Sequence, residues 1–240
     1  MNTALNFNTF SIVARCETTG ELGVAVASAV PAVGSLCIYT RPNIGAVSTQ
    51  SWVNPYLAID VLDFIAAGQC AQTALNQALA LDSDQGLRQI GIIDAAGRTA
   101  THTGENCTSW CGELAGNNFS VQGNMLANKE VLEAMSAAFQ NHPIFMDALL
   151  AALKAGEAAG GDNRGKQSAA LRIHAKEHYP LLDLRVDDHT DPIDELERIL
   201  NVAKVQYLPF SRSLPARFGQ SAGLSPDVRD VLMRSPQNRS

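Results

Sequence analysis

The feature that most constrains the fold is the grouping of predicted strands and helices into separate blocks along the chain. Alternating apolar residues bounded by turn residues predict strands at 9–15, 22–28, 36–40, 44–50, 87–94, 98–103, 119–123, 168–174 and 181–186. Helical periodicity predicts helices at 55–68 and 71–81, from Asn128, from Pro143 and from Asp191. This order predicts an α+β fold, a four-layer αββα sandwich in which two antiparallel sheets pack together with helices outside.

The first hairpin and the end of the chain define the expected domain limits. Turn residues at 17–21 separate the first two strands, so the sheet begins at Thr9. Beyond residue 205 the chain becomes rich in Pro, Ser and Arg, and Ser225-Pro226 predicts one short helix at 224–233. We expect one domain at 1–204 and a tail at 205–240 that is a short helix or partly disordered.

Charge and cysteine usage limit the partners. The formal net charge is −6, and the 18 Lys and Arg residues are scattered, so we expect no nucleic-acid partner. No run of about 18 apolar residues and no basic, apolar leader appear, so neither membrane insertion nor export is expected. Five dispersed cysteines do not resemble a disulfide framework, which favours a cytoplasmic protein.

Several motifs resemble one known family. They are TFSIVAR at 9–15, TGELGVAVAS at 19–28, GAVSTQ at 45–50, RQIG at 88–91 with Asp94, HTG at 102–104, SVQGN at 120–124, GGD at 160–162 with RG at 164–165, QSAA at 167–170 and DLRVDDH at 183–189. Together they resemble the domain-of-unknown-function 1028 family over about residues 9–200. That family is grouped with the N-terminal-nucleophile (Ntn) hydrolases, so the resemblance also implies the αββα sandwich.

The resemblance makes Thr9 the candidate nucleophile. Family members commonly begin with a threonine directly after the initiator methionine, whereas Thr9 follows eight residues here. A terminal threonine can use its own α-amine as the base, but an internal one cannot. Three alternatives remain open: cleavage of the Asn8–Thr9 bond, another start site, or a fold that persists without this mechanism.

Three further groups of residues are candidates beside Thr9. Arg41 lies thirty-two residues after Thr9, the spacing at which proteasome-like Ntn hydrolases carry a lysine, and it would supply positive charge. Ser11 shares a strand face with Thr9. Ser48, Thr49 and Gln50 lie where the resemblance implies an oxyanion-binding backbone N–H.

The remaining substrate-binding candidates each have a structural alternative. His102 suits a general base but ends a hairpin, where a hydrogen-bonded structural role is favoured. Gln122 and Asn124 flank Gly123 and suit either substrate amides or a tight turn. Asp162 and Arg164 suit a clamp for a polar or carboxylated substrate, or simply a glycine-rich turn.

The sequence thus predicts a small-molecule amidohydrolase with no cofactor and no metal, and a homodimer only as the common oligomeric state. The alternative is a non-catalytic ligand-binding or assembly module on the same fold. A third hypothesis is a metal-assisted hydrolase that uses Asp187, Asp188 and His189. The spacing of His102, Cys107 and Cys111 is a weak zinc signal.

Overall fold

The computed structural model describes residues 9–217, 219 and 223–236. Its strands are β1 (Thr9–Arg15), β2 (Leu22–Ser28), β3 (Ile38–Arg41), β4 (Gly45–Ser51), β5 (Arg88–Asp94), β6 (Thr99–Thr103), β7 (Gly112–Gly116), β8 (Phe119–Asn124), β9 (Ser168–His174) and β10 (Leu182–Val186). Its helices are α1 (Val33–Leu36), α2 (Pro55–Ala66), α3 (Ala71–Ala80), α4 (Glu130–Gln140), α5 (Phe145–Ala158), α6 (Pro192–Gln206), α7 (Leu208–Ser211) and α8 (Pro226–Met233).

The strands form two antiparallel sheets. The six-stranded sheet has the order β10-β9-β2-β1-β8-β7, and the four-stranded sheet has the order β3-β4-β5-β6. The strand β1 is central, because it pairs with β2 on one side and with β8 on the other. Its first residue, Thr9, lies between Ser28 and Asn124.

The alternation of side chains along β1 separates the layers. Phe10 and Ile12 pack in a buried cluster with residues of α4, α5 and α6. Val13, on the opposite face, packs with Ile38 and Ile93 of the four-stranded sheet. Because successive strand residues point to opposite faces, the six-stranded sheet has helices on one side and the second sheet on the other.

The outer face of the four-stranded sheet carries the second helical layer. Val47 and Ile90 pack against Leu57 and Val61 of α2 and Leu75 of α3 in a separate buried cluster. Helices, sheet, sheet and helices therefore follow one another across the molecule. This confirms the predicted fold class, an α+β fold with a four-layer αββα sandwich.

Local capping chemistry accounts for some helix starts but not for others. The Asn54 side chain accepts the Tyr56 N–H at 3.1 Å ahead of α2, as its sequence predicts. The predicted N-cap at Asn128 is wrong by one residue, because Lys129 is the N-cap of α4, and the predicted start at Pro143 is wrong by two, because α5 begins at Phe145. No side-chain cap occurs at either start, so packing rather than capping decides where these helices begin.

Several short elements, among them β7 and α1, were not predicted. The edge strand β7 begins and ends with glycine and is partly exposed, so it lacks the apolar alternation that marks a strand. The helix α1 has only four residues, and β3 starts at Ile38 rather than at residue 36. Such short elements depend on tertiary contacts more than on local sequence.

The C-terminal region is attached to the sandwich through α6 and α7. The predicted boundary at residue 204 falls inside α6, and Leu208 of α7 is buried in the cluster of the six-stranded sheet. The predicted short helix is confirmed as α8, with the Ser225 hydroxyl accepting the Val228 N–H. The predictions for residues 1–8, 218, 220–222 and 237–240 lie outside the described residues. Among the helices that are described, none is long and apolar enough to cross a membrane.

Candidate functional site

The candidate site lies between the two sheets, at the end where β1 begins. Thr9 is fully buried, and its side chain lies on the opposite face of β1 from Phe10, so it points toward the four-stranded sheet. Its Oγ1 donates a hydrogen bond to Ser28 Oγ at 3.2 Å. Thr9 therefore occupies a polar end of the inter-sheet space, beyond the apolar packing around Val13.

Ser11, Gln50 and Gln122 connect the two sheets next to Thr9. Ser11 Oγ donates to Gln50 Oε1 at 2.6 Å and accepts from Gln122 Nε2 at 2.6 Å. Gln50 Nε2 donates to the carbonyl oxygen of Thr9 at 3.1 Å, and Ser48 Oγ donates to Gln50 Oε1 at 3.2 Å. The structure thus brings together five residues that were singled out at separate points of the sequence.

Gln89 is the centre of this network, and the sequence analysis did not select it. Its Oε1 accepts from Gln50 Nε2 at 2.8 Å and from Asn124 Nδ2 at 3.0 Å. Its Nε2 lies 2.8 Å from the Gly123 carbonyl oxygen and 2.9 Å from Thr103 Oγ1. The available signal was a glutamine directly before the apolar residues at 90–93 of β5, since a buried glutamine is unusual.

Asn124 carries a buried acceptor that lacks a donor. Its side-chain nitrogen is bonded to Gln89, but its Oδ1 has no hydrogen-bond partner in the part of the chain that the structure describes. The residue is fully buried and is the direct cross-strand neighbour of Thr9. Buried polar atoms are rarely left unpaired, so this oxygen is a position at which a donor is expected.

A glycine makes the network sterically possible. A Cβ atom on Gly91 would lie 2.0 Å from Gln122 Oε1, so any other residue would displace this amide. Gly91 lies on β5 two residues after Gln89, so the two residues share one face of the strand. The glycine in the RQIG motif therefore serves the close approach of the sheets.

The network contains only uncharged groups. Within the described residues, every side chain that hydrogen-bonds to Gln50, Gln89 or Gln122 is an amide or a hydroxyl. An exposed carboxylate is reached only through Thr103, whose hydroxyl donates to Glu113. None of the directly bonded side chains titrates near neutral pH, so none of them is a general base.

Asp162 and Arg164 lie at the edge of the same end of the sandwich. Asp162 forms an isolated bridge with Leu126, just after Asn124, and its Oδ2 accepts the Ala29 N–H at 3.3 Å. The Arg164 guanidinium lies 3.2 Å from this carboxylate, which is almost fully buried. The pair fastens the glycine-rich loop to the ends of β2 and β8.

Arg41 does not lie with Thr9. It pairs with Gly45 at the start of β4, whereas Gln50, which contacts Thr9, lies at the other end of that strand. Five residues of strand separate the two positions by about 16 Å. The exposed Arg41 side chain forms an ion pair with Asp63 of α2 at 2.6 Å, so it is directed toward the outer helices.

Thr49 and His102 also face away from the network. The Thr49 N–H donates to the Cys37 carbonyl oxygen at 2.9 Å, so this amide is already engaged. His102 pairs across the sheet with Ile90, which packs on the outer helices, and its Nε2 lies 2.9 Å from the Gln85 carbonyl oxygen. This contact corresponds to the structural alternative for His102.

The thiols are unsuited to nucleophilic attack from within the core. All five cysteines are described, and none forms a disulfide. Burial raises the pKa of the Cys37 thiol to about 12, and it also raises the pKa values of Cys107 and Cys111. These three side chains are therefore protonated at neutral pH.

The acidic cluster of the third hypothesis is engaged in local contacts. Asp187 binds Arg185, Asp188 accepts from Gln167, and His189 Nδ1 accepts the Asp191 N–H. No group of three or more His, Cys, Asp or Glu side chains suited to a metal ion occurs among the described residues.

The fold and site define a class of protein, an αββα sandwich with a polar, amide-lined space between its sheets at the start of the first strand. Residues 9–196 match the model of a family of unknown function, DUF1028. The chain belongs to this family, as the motifs of the sequence indicated.

One solved structure supports this membership. The protein SPO2555 from Silicibacter pomeroyi, a DUF1028 protein, is 31% identical, and the match covers 87% of this chain and 92% of that one with a TM-score of 0.81. Anbu, an ancestral beta-subunit from Yersinia bercovieri, is 12% identical over 86% of this chain and 98% of that one, with a TM-score of only 0.39. Among curated proteins, none matches the chain.

Proposed function

We propose that this protein is an N-terminal-nucleophile amidohydrolase that cleaves a C–N bond in a small amide. In this proposal the Asn8–Thr9 peptide bond is hydrolysed first, which frees the α-amine of Thr9. The amine then serves as the base for the Thr9 hydroxyl, because the side chains that form the surrounding network do not titrate near neutral pH.

The reaction proceeds through an acyl ester. The α-amine accepts the hydroxyl proton as Thr9 Oγ1 attacks the substrate carbonyl carbon, and this proton passes to the departing nitrogen as the C–N bond breaks. Water then attacks the ester, and one of its protons returns to Thr9 Oγ1 as the carboxylic acid leaves. No cofactor or metal is needed for this sequence of steps.

The unpaired oxygen of Asn124 is the observation that carries the proposal. It is buried, it belongs to the residue paired with Thr9, and it lacks a donor among the described residues. A peptide nitrogen at this position has a single N–H bond, whereas a free α-amine has at least two and so can donate an additional hydrogen bond. We infer that Asn124 Oδ1 accepts a hydrogen bond from the amine and holds it near Thr9 Oγ1.

Side-chain amides also suit the developing negative charge. Gln50 Nε2 lies beside the proposed nucleophile and donates to the Thr9 carbonyl oxygen at 3.1 Å and to Gln89 Oε1 at 2.8 Å, so it would reach an oxyanion by exchanging one of these bonds. Neutral, preorganised N–H donors stabilise a tetrahedral oxyanion in a site without water. Gln50 therefore takes the part of the oxyanion donor in this proposal, and Arg41 has no part in it.

The test measures the N-terminus and the reactivity of Thr9 together. Protein purified without an N-terminal tag is examined by intact mass and then treated with a β-lactone, which acylates activated hydroxyl groups. We expect a chain that begins at Thr9 and a single adduct on its first residue. Thr9→Ala should lose the adduct, whereas the matched control Thr18→Ala, in the exposed hairpin turn, should keep it.

A non-catalytic ligand-binding or assembly module is the second candidate. It is favoured by the burial of Thr9, Gln50 and Asn124, since none of these side chains is exposed to a substrate. A mass that retains those residues, together with labelling that is equal in the protein and in Thr9→Ala, would support this module and reject the hydrolase.

A further inference from the structure

A cavity lies at the opposite end of the β1–β2 hairpin from Thr9. Its volume is about 520 Å³, which is within the range of small-molecule sites. Its walls come from the turn between β1 and β2, the turn between β9 and β10, and the segment that follows α7. The length of β1 alone separates it from Thr9 by about 20 Å.

The cavity contains a buried hydroxyl without a partner. Ser211 is 3% exposed and lines the cavity, and its Oγ has no hydrogen-bond partner among the described residues. A serine in a helix commonly bonds the carbonyl oxygen four residues earlier, but here the Tyr207 carbonyl accepts only the backbone N–H of Ser211. The hydroxyl is therefore available to a molecule in the cavity.

The charges around the cavity are of both signs and mostly unpaired. Lys176 and Arg212 line it, and neither side chain forms an ion pair within the described residues. Glu21 is likewise unpaired there, whereas Glu177 accepts the Arg217 N–H at 3.1 Å. The net charge of these four lining groups is zero, so the wall suits a ligand that carries one positive and one negative group.

The remaining wall is apolar. Leu181 and Leu214 contribute aliphatic surface, and the ring of Tyr179 is fixed because its hydroxyl donates to the Pro215 carbonyl oxygen at 3.1 Å. Such a surface binds a hydrocarbon or aromatic group, with a gain of about 25 cal/mol for each Å² of apolar area removed from water. The cavity thus combines an apolar wall, a buried hydroxyl and separated charges.

We propose that this cavity binds an α-amino acid with a large apolar side chain. The carboxylate lies toward Arg212, Lys176 and the Ser211 hydroxyl, the ammonium group toward Glu21, and the apolar side chain against Leu181 and Leu214. This site is separate from Thr9 and does not depend on the proposed hydrolase activity.

The first test uses the unmodified full-length protein and three related probes in isothermal titration calorimetry. L-phenylalanine should bind, and both N-acetyl-L-phenylalanine, which lacks the cation, and L-phenylalaninamide, which lacks the anion, should bind at least about tenfold more weakly. Absence of binding by all three at about 10 mM would overturn the proposal, and so would equal affinity for all three.

The second test assigns each charge to its partner. Arg212→Gln should weaken L-phenylalanine but leave L-phenylalaninamide unchanged, and Glu21→Gln should weaken L-phenylalanine but leave N-acetyl-L-phenylalanine unchanged. Arg198→Gln, an exposed change on α6 outside the cavity, is the matched control and should bind L-phenylalanine like the unmodified protein. If Arg198→Gln weakens binding as much as Arg212→Gln, the effect is one of net charge and the assignment is wrong.

Discussion

The network between the sheets makes a quantitative prediction for Gln89→Met. Methionine is close to glutamine in length and flexibility, so the change removes the amide while nearly conserving volume. Gln89 is fully buried and accepts from both Gln50 and Asn124. The substitution therefore tests hydrogen bonding rather than packing.

The expected cost follows from what each partner loses. Asn124 Nδ2 loses the acceptor at 3.0 Å and becomes a buried donor without a partner, which costs about 2 kcal/mol. Gln50 Nε2 keeps its contact with the Thr9 carbonyl oxygen, so the loss of its bond to Gln89 costs about 1 kcal/mol. The Gly123 carbonyl oxygen and the Thr103 hydroxyl also lose the Nε2 donor, so the free energy of unfolding should fall by at least about 3 kcal/mol, and Tm by at least about 6 °C.

Urea unfolding measures this loss, with Gln72→Met as the matched control. Gln72 bonds Asn76 on the exposed surface of α3, so its replacement should change the free energy of unfolding by no more than about 0.5 kcal/mol. The midpoint of Gln89→Met should fall with an unchanged m-value. If the two variants unfold at the same midpoint, the network contributes no stability and the reasoning fails.

Three further predictions concern other positions. Gly91→Ala should destabilise the fold by about 2 kcal/mol, because the added Cβ meets Gln122. Adding Gln122→Ser to this variant should recover part of the loss, because the shorter side chain leaves room for the Cβ. If the urea midpoint of the double variant falls by the sum of the two single changes, the prediction is wrong. Iodoacetamide at about pH 8 should label Cys70 before Cys37. Hydrogen bonding to the threonine hydroxyl three residues further on lowers the pKa of Cys70, whereas burial raises the pKa of Cys37 to about 12. Peptide mapping that finds Cys37 labelled first would refute the prediction. Burial raises the pKa of Asp82, but hydrogen bonds from an arginine, an asparagine and a backbone amide outweigh it, so the pKa lies below its ordinary value. The stability that Asp82 contributes is therefore present above about pH 4 and is lost as pH falls through the lowered pKa, so the difference in unfolding free energy from Asp82→Asn should shrink between about pH 7 and pH 3.

Some site residues were predictable because their signals are local. Thr9 opens the first strand of a hairpin whose turn residues stand at 17–21, so its position at the end of the sheet follows from the sequence. Ser11, Gln122 and Asn124 alternate with apolar residues, which indicates that they share a strand face. What such alternation does not indicate is which sheet that face meets.

Other residues depended on register between distant strands. Gln89 is central only because β5 lies across from β1 and β8, and no local pattern specifies that contact. Arg41 has a suggestive spacing from Thr9, but an antiparallel connection reverses direction, which leaves it at the far end of its strand. Sequence spacing measures length along the chain, and it measures distance in space only within a single element.

By itself, the sequence determined the order of hairpins and helices, the family and the strand that begins at Thr9, because turns, caps and side-chain alternation act over a few residues. The tertiary structure alone decided the Gln89 network, the separation of Arg41 from Thr9 and the cavity beside Ser211. Each of these depends on how strands and turns from distant parts of the chain pack together, and that arrangement is selected by the burial of whole faces rather than by any one motif.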